Sequence, residues 1–140
     1  MQLGELLTSL FVNLQALIKR EVNLGRASFP KIIALSVIPP DGFEMSALAR
    51  KMGVDNSTAT RLVIGMEKAG WVKRESSSYD KRVNQVFLTK KGYSLQSNLE
   101  EQFELIGKVV EESLNPGDKL GISNTISSLN WVLLKLIADK

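Results

Sequence analysis

The sequence contains no cysteine and no histidine among its 140 residues. Without cysteine, neither a disulfide nor a thiol switch can form. The two absences also remove the usual protein ligands of transition metals, and the side chains that most often serve as nucleophile or general base. The sequence therefore favours neither a transition-metal sensor nor an enzyme that depends on Cys or His, and we expect no cofactor.

Long apolar runs are missing as well, since no uninterrupted stretch reaches the length of about 18 residues that suggests a membrane span. The apolar N-terminal stretch is interrupted by Glu5, Asn13 and Gln15. Lys19 and Arg20 follow this stretch instead of preceding it, which argues against a secretory signal. With 44% hydrophobic and 24% charged residues, the sequence predicts a globular, cytoplasmic protein with no membrane partner.

The net charge of +3 is distributed unevenly along the chain. Residues 45–92 hold ten Lys or Arg against four Asp or Glu, a net of +6, whereas the remaining residues hold eight against eleven, a net of −3. A basic segment within a chain of modest charge is the pattern expected of a protein that binds a polyanion. The charge alone does not distinguish DNA from other polyanions.

Residues 45–92 carry the signals of a short helix, a tight turn, a longer helix and two strands. Ser46 is the expected N-cap of the short helix, and Gly53 can end it because glycine readily adopts positive φ. Asp55 is the expected N-cap of the longer helix, and Gly70 its end. Apolar residues at helical spacing predict the buried face of the longer helix: Ala59, Leu62, Val63, Met66 and Ala69. This order of elements is that of a winged helix-turn-helix.

The opposite face of the longer helix carries Asn56, Ser57, Thr60, Arg61, Ile64 and Lys68, which apart from Ile64 are polar or basic. Such groups hydrogen-bond phosphates or base edges, and a major groove about 12 Å wide admits one helix. A polar face on an amphipathic helix is, however, ordinarily a solvated face. From this helix alone, DNA contact and simple solvation both remain open.

Two strands are predicted after this helix, at 71–75 and 83–88, and the loop between them holds Lys81 and Arg82. A basic hairpin tip can reach a narrow minor groove, where arginine is attracted by the concentrated negative potential. The alternative is an ordinary exposed hairpin that uses its charge to avoid pairing with other sheet edges.

On these residues the chain resembles the MarR family of transcriptional regulators. The resemblance rests on SALARKMGVDNSTATRLVIGMEKAGWVKR at 46–74, on Asp-Lys-Arg at 80–82 and on Leu-Thr-Lys-Lys-Gly at 88–92. These runs match the family's helix-turn-helix, its Asp-x-Arg wing and its Leu-Thr-x-x-Gly motif. One departure is Ile64-Gly65, where family members often carry Asp-Arg or another polar pair.

The resemblance implies that the longer helix enters the major groove of double-stranded DNA and that Arg82, oriented by Asp80, contacts the minor groove. Lys68, Lys73 and Lys81 are expected to fix the register on phosphates, together with the amide end of the helix that Ser46 would cap. The expected DNA-binding residues are Ser46, Asn56, Ser57, Thr58, Thr60, Arg61, Lys68, Lys73, Asp80, Lys81 and Arg82.

Long amphipathic helices flank the basic segment on both sides. Helices so apolar on one side need partner helices, which can come from the same chain or from a second copy. The resemblance implies a homodimer built from the first and the last two helices. The residues expected at its interface are Leu3, Leu7, Leu10, Leu14, Ile122, Ile126, Leu129, Leu133 and Leu136.

The predicted fold is mainly α (α+β), a winged helix-turn-helix with flanking long helices that form an intertwined dimerisation domain. We expect N-terminal dimerisation and support helices at 1–38, the DNA-binding lobe at 39–92 and C-terminal dimerisation helices at 93–140.

Further local signals refine this prediction. Ser28 and Pro30 predict a helix start. The resemblance implies that residues 43–45 form a very short extended piece that pairs with the wing. Thr89 is the expected N-cap of a long helix that breaks at 115–117, and the final helix is expected to begin near Asp118.

These observations predict a sequence-specific regulator of transcription, most often a repressor in this family, that binds an inverted repeat with half-sites about 10 bp apart. The resemblance also implies release by a small aromatic or phenolic effector in a cleft of the first, second and fifth helices, although apolar residues there are more simply core. The alternatives are a winged-helix protein-interaction module and an enzyme. An enzyme is disfavoured because there is no His or Cys base and no GxxxxGK[ST] loop.

Overall fold

The computed structural model describes residues 1–76 and 84–138. Its helices are α1 Leu3–Glu21, α2 Phe29–Val37, α3 Met45–Met52, α4 Asn56–Lys68, α5 Lys90–Ser113, α6 Pro116–Lys119 and α7 Ile122–Ala138. Its strands are β1 Phe43–Glu44, β2 Val72–Ser76 and β3 Asn84–Leu88. The chain forms two compact units, Met1–Glu104 and Leu105–Lys140. This mainly helical architecture with one small sheet confirms the predicted winged helix-turn-helix class.

The sheet of the first unit is antiparallel, in the order β1-β3-β2. Phe43 pairs with Val86, which confirms that the short piece before α3 pairs with the wing. β2 begins at Val72, one residue later than predicted, because the Trp71 N–H donates to the Met66 carbonyl at 2.9 Å and so belongs to the end of α4. Along β2 the buried Val72 is followed by the exposed Lys73, as expected of a strand with one face on the core.

The core of the first unit lies between the sheet and the helices around it. Its largest fully buried side chains are Leu35, Ile38, Leu48, Val63, Met66, Val86 and Leu99. They come from α2 and its C-cap, from α3, α4 and β3, and from the first half of α5. Packing against this core fixes α3 and α4, so that only one face of each is left to solvent.

The turn between α3 and α4 forms as predicted at Gly53. Gly53 adopts a left-handed φ of 68°, and the next N–H, that of Val54, donates to the Ala49 carbonyl at 3.0 Å. The predicted start of α3 at Ser46 is wrong. Its N-cap is Glu44, and the Ser46 hydroxyl donates to the Glu44 carboxylate at 3.4 Å instead of accepting from an amide. Because Glu44 still pairs within β1, strand and helix follow each other directly.

Other local predictions are confirmed at the expected residues. Ser28 caps α2 by accepting from the Lys31 N–H at 3.5 Å, and Pro30 lies in the first turn. Thr89 accepts from the Gly92 N–H at 3.1 Å at the start of α5. α5 ends at Ser113, just before the predicted break.

The second unit contains the end of α5 with α6 and α7. The prediction that the final helix begins near Asp118 is wrong, because residues Pro116–Lys119 form the separate short α6 and α7 begins at Ile122. Gly121 adopts a left-handed φ of 80° between them, which interrupts the helix. In the residues that the structure describes, no helix combines the length and apolar character needed to cross a membrane.

Candidate nucleic-acid interface

The N-terminus of α4 is fixed by Asp55, as predicted. The Asp55 carboxylate accepts from the Thr58 N–H at 2.7 Å and from the Ser57 hydroxyl at 2.9 Å. The pKa of Asp55 is lowered from its ordinary value, chiefly by the hydrogen bond from the Thr58 backbone and also by the Thr58 and Ser57 hydroxyls. The first turn of α4 therefore has a defined geometry before any ligand arrives.

The two faces of α4 differ sharply in chemistry. Ala59, Val63 and Met66 are buried and hold the helix in the core. The outer face carries polar or basic side chains that are exposed or half-buried: Asn56, Ser57, Thr58, Thr60, Arg61 and Lys68. Asn56, Ser57, Arg61 and Lys68 are thus exposed on the side of α4 away from its buried residues, and Thr58 and Thr60 are half-buried.

The hydroxyl groups of this face are already engaged inside the helix. Ser57 donates to Asp55, and the Thr60 hydroxyl donates to the Asn56 carbonyl at 2.8 Å. The Arg61 guanidinium donates to the Thr58 hydroxyl at 3.5 Å. While these bonds persist, the hydroxyl protons of Ser57 and Thr60 are not available to phosphates. The hydroxyl oxygens can still accept hydrogen bonds. Arg61 is exposed and keeps further N–H donors for base edges or phosphates.

Ser46 lies at an exposed position in the first turn of α3. It does not cap the helix, and its hydroxyl donates to the Glu44 carboxylate instead. The phosphate contact predicted for this end of α3 remains a prediction.

The base of the wing is tied to α4 by an ion pair. The Arg74 guanidinium on β2 contacts the Glu67 carboxylate on α4 at 3.1 Å, and both side chains are about one-third exposed. This pair was not predicted, because nothing in the local pattern links residues seven positions apart across a turn. It orients β2, and so the start of the wing, against α4.

Lys73, predicted to contact a phosphate, lies on the exposed side of β2. Its ammonium pairs with Glu75 at 3.1 Å and stands 5.9 Å from the centre of the Phe87 ring. An exposed pair of this kind contributes little energy and can be exchanged for a phosphate. The predicted wing residues Asp80, Lys81 and Arg82 lie outside the described residues.

A second feature of the first unit is an apolar groove with a volume of about 440 Å³. It is lined by α1, α2 and the α3–α4 turn: Phe11, Leu14, Gln15, Ile18, Phe29, Pro30, Ile33, Met52 and Val54. The resemblance implies an effector cleft on the first, second and fifth helices, and two of those three helices line this groove. Within the described ranges, no cluster of His, Cys, Asp or Glu could hold a metal ion.

Comparison with known proteins agrees with this geometry. Residues 41–83 match the model of the MarR family. The HTH-type transcriptional regulator YfiV of Bacillus subtilis (strain 168) is 33% identical over 107 residues, which cover 76% of this chain and 67% of YfiV.

Solved structures share the fold over nearly the whole chain. The crystal structure of MarR has a TM-score of 0.83 at 17% identity, covering 100% of this chain and 96% of that one. Streptococcus pneumoniae FabT, crystallised in complex with DNA, has a TM-score of 0.75 at 21% identity, covering 95% of this chain and 96% of that one. With the identity to YfiV and the family match over the helix-turn-helix, the chain belongs to the MarR family of transcriptional regulators.

Proposed function

We propose that this protein is a homodimeric regulator, most simply a repressor, that occupies an inverted-repeat operator in double-stranded DNA. The observation that carries the proposal is the outer face of α4, where Asn56, Ser57 and Arg61 are exposed on a helix whose other side is fixed in the core. In this proposal α4 enters the major groove and the wing reaches the adjacent minor groove.

The apolar surfaces of α1 and α7 support the homodimer. None of the described residues of either helix is buried within the chain. Leu3 and Leu10 of α1 are 65% and 53% exposed, and Ile126 and Leu136 of α7 are 54% and 61% exposed. Apolar stripes of this kind on either helix are rarely left to water, and a second copy of the chain would cover them.

Sedimentation equilibrium tests the dimer with two matched variants on α7. Leu133→Glu places a charge within the apolar stripe and is expected to yield monomers. Asn124→Glu places the same charge at an exposed polar position nine residues earlier, half a turn around the helix, and is expected to leave the dimer intact. A wild-type monomer at micromolar concentration would contradict the proposal.

DNA binding is tested by a fluorescence-anisotropy titration with the duplex upstream of the protein's own gene, at several salt concentrations and against scrambled competitor. We expect tight, competitor-resistant binding whose log affinity falls linearly with log salt. If that duplex binds no better than scrambled DNA, selection from a random-sequence duplex library decides the matter. Failure to enrich any sequence would favour a protein-interaction module.

The apolar groove supports a second, subordinate proposal, that a small aromatic or phenolic molecule binds there and releases the DNA. A volume of about 440 Å³ is suitable for such a ligand. Thermal-shift measurements against a panel of aromatic acids and phenols should give at least one stabilising compound. Ile33→Trp, which fills the groove, should abolish that shift, and a flat response across the panel would count against the proposal.

A further inference from the structure

A glycine lies in the interior of the proposed DNA-reading helix. Gly65 sits in the last third of α4, which continues without a break from Asn56 to Lys68. Glycine inside a helix is unfavourable because its backbone is the most flexible in the unfolded chain. Its φ is not positive, so the backbone conformation does not explain the residue.

The space beside Gly65 is occupied by the end of a lysine from another helix. A Cβ added at Gly65 would lie 2.9 Å from Cε and 3.1 Å from Nζ of Lys31. Lys31 belongs to the first turn of α2 and is half-buried, and the end of its side chain lies beside Gly65 of α4. Gly65 therefore provides the room that brings the Lys31 ammonium against the backbone of α4.

Two further cations lie near Gly65 on the surface of α4. Arg61 lies four residues before Gly65 and Lys68 three residues after it, so both neighbour Gly65 on the helix surface. Among the described residues, no carboxylate pairs with Lys31, Arg61 or Lys68. The Asp55 carboxylate at the start of α4 interacts electrostatically with Arg61 but forms no ion pair with it. An anion at this surface would interact favourably with all three cations.

We propose that Lys31 is a DNA-phosphate contact, brought to the edge of the recognition surface through the gap at Gly65. The proposal rests on the proposed function and adds a residue from α2 to the interface. A phosphate contact strengthens binding without reading sequence.

The test measures the affinity of the full-length protein for a random-sequence duplex of about 30 bp over a range of salt concentrations. Such DNA reports phosphate contacts and needs no knowledge of the operator. The variants are Lys31→Ala, Gly65→Ala and the double variant, and Lys119→Gln on α6 controls for loss of one positive charge elsewhere. Circular dichroism checks that each variant is folded.

Lys31→Ala should weaken binding about eightfold per contact at 0.1 M salt and make the slope of log affinity against log salt shallower by about 0.9 per contact. Gly65→Ala should weaken binding as well, because its Cβ displaces the Lys31 side chain, although alanine favours the helix. In the Lys31→Ala background, Gly65→Ala should have no further effect on affinity. Lys119→Gln should leave the slope unchanged.

Two outcomes would overturn the proposal while leaving the proposed function standing. One is wild-type binding with an unchanged slope in Lys31→Ala, which would make Lys31 a packing residue only. The other is a loss of affinity from Gly65→Ala that persists in the Lys31→Ala background, since Gly65 would then act independently of Lys31. A wild-type protein that binds no duplex DNA would overturn both proposals.

Discussion

Gly92 in the first turn of α5 lies against the backbone of Trp71, so that an added Cβ would overlap the Trp71 carbonyl oxygen and come within 3.0 Å of its carbon. The same carbonyl accepts from the Thr89 N–H at 3.0 Å. The Leu-Thr-x-x-Gly run thus joins the end of α4 to the start of α5. Its threonine caps α5, and its glycine allows the close approach.

Gly92→Ala should accordingly destabilise the protein by about 1 to 3 kcal/mol, because backbone has to move to admit the methyl group. Gly107→Ala is the matched control on the same helix, since an added Cβ there meets nothing within 4 Å. It should be neutral or stabilise by up to about 1 kcal/mol. Urea denaturation at one protein concentration measures the stability of both variants. Equal midpoints would contradict the close contact between Gly92 and the Trp71 backbone.

Local signals made much of this fold predictable from the sequence. Asp55 and Thr89 cap α4 and α5, and Gly53 and Gly70 end α3 and α4. Each feature depends on groups only a few residues away, so a short window of sequence contains its cause. The buried stripe of α4 is predicted in part, since Ala59, Val63 and Met66 are buried but Leu62 and Ala69 are only half-buried.

Features that depend on distant parts of the chain were missed or misplaced. Ser46 looks like an N-cap, but the pairing of Glu44 with Gln85 in the sheet sets the start of α3. The approach of Lys31 to Gly65 likewise joins two helices that sequence spacing does not relate. The predicted DNA contacts remain predictions.

Gln96 shows how such long-range contacts hold the first unit together. Its buried side-chain amide on α5 donates to the carbonyls of Leu35 and Ile38, both at 2.8 Å, at the end of α2. Gln96→Leu keeps a similar volume but leaves two buried carbonyls without these donors. We therefore expect the free energy of unfolding, measured by urea denaturation, to fall by about 1 to 3 kcal/mol.

The control for this variant is Ser97→Leu, which introduces the same side chain at the neighbouring, exposed position of α5. It should change stability by less than about 0.5 kcal/mol, because no buried group depends on an exposed side chain there. Similar losses for both variants would mean that the two hydrogen bonds of Gln96 contribute little.

Asp55 should make the stability of the protein depend on pH in the acidic range. Because folding lowers its pKa below 3.8, the stabilisation by its carboxylate is complete above that value and is lost as the pH falls through the lower pKa of the folded state. Asp55→Ala should therefore lower the melting temperature at pH 7, and its difference from the wild type should shrink below pH 3.8. Asp55→Asn keeps a capping oxygen without the charge. Its melting temperature at pH 7 should therefore fall less than that of Asp55→Ala. A difference between wild type and Asp55→Ala that stays constant down to pH 3 would contradict the contribution of the Asp55 charge.

Arg61 and Lys68 should contribute to DNA binding in different ways, although both are exposed cations on α4. Arg61 lies in the middle of the polar face and can donate two N–H bonds to a base edge, whereas Lys68 is the last residue of the helix and offers a point charge suited to phosphate. Arg61→Ala should weaken binding to a selected operator by about 1 to 3 kcal/mol and relax preference at one base position per half-site.

Lys68→Ala should instead weaken binding to all sequences alike and make the salt slope shallower by about 1 for each contact. Arg20→Ala on α1 controls for the loss of one positive charge, since Arg20 pairs with its neighbour Glu21 at 2.9 Å. It should leave the affinity and the salt slope unchanged. If Arg61→Ala reduced affinity for operator and scrambled DNA by the same factor, Arg61 would be a phosphate contact. Recognition of the operator bases would then depend on the other polar side chains of α4 and on the wing.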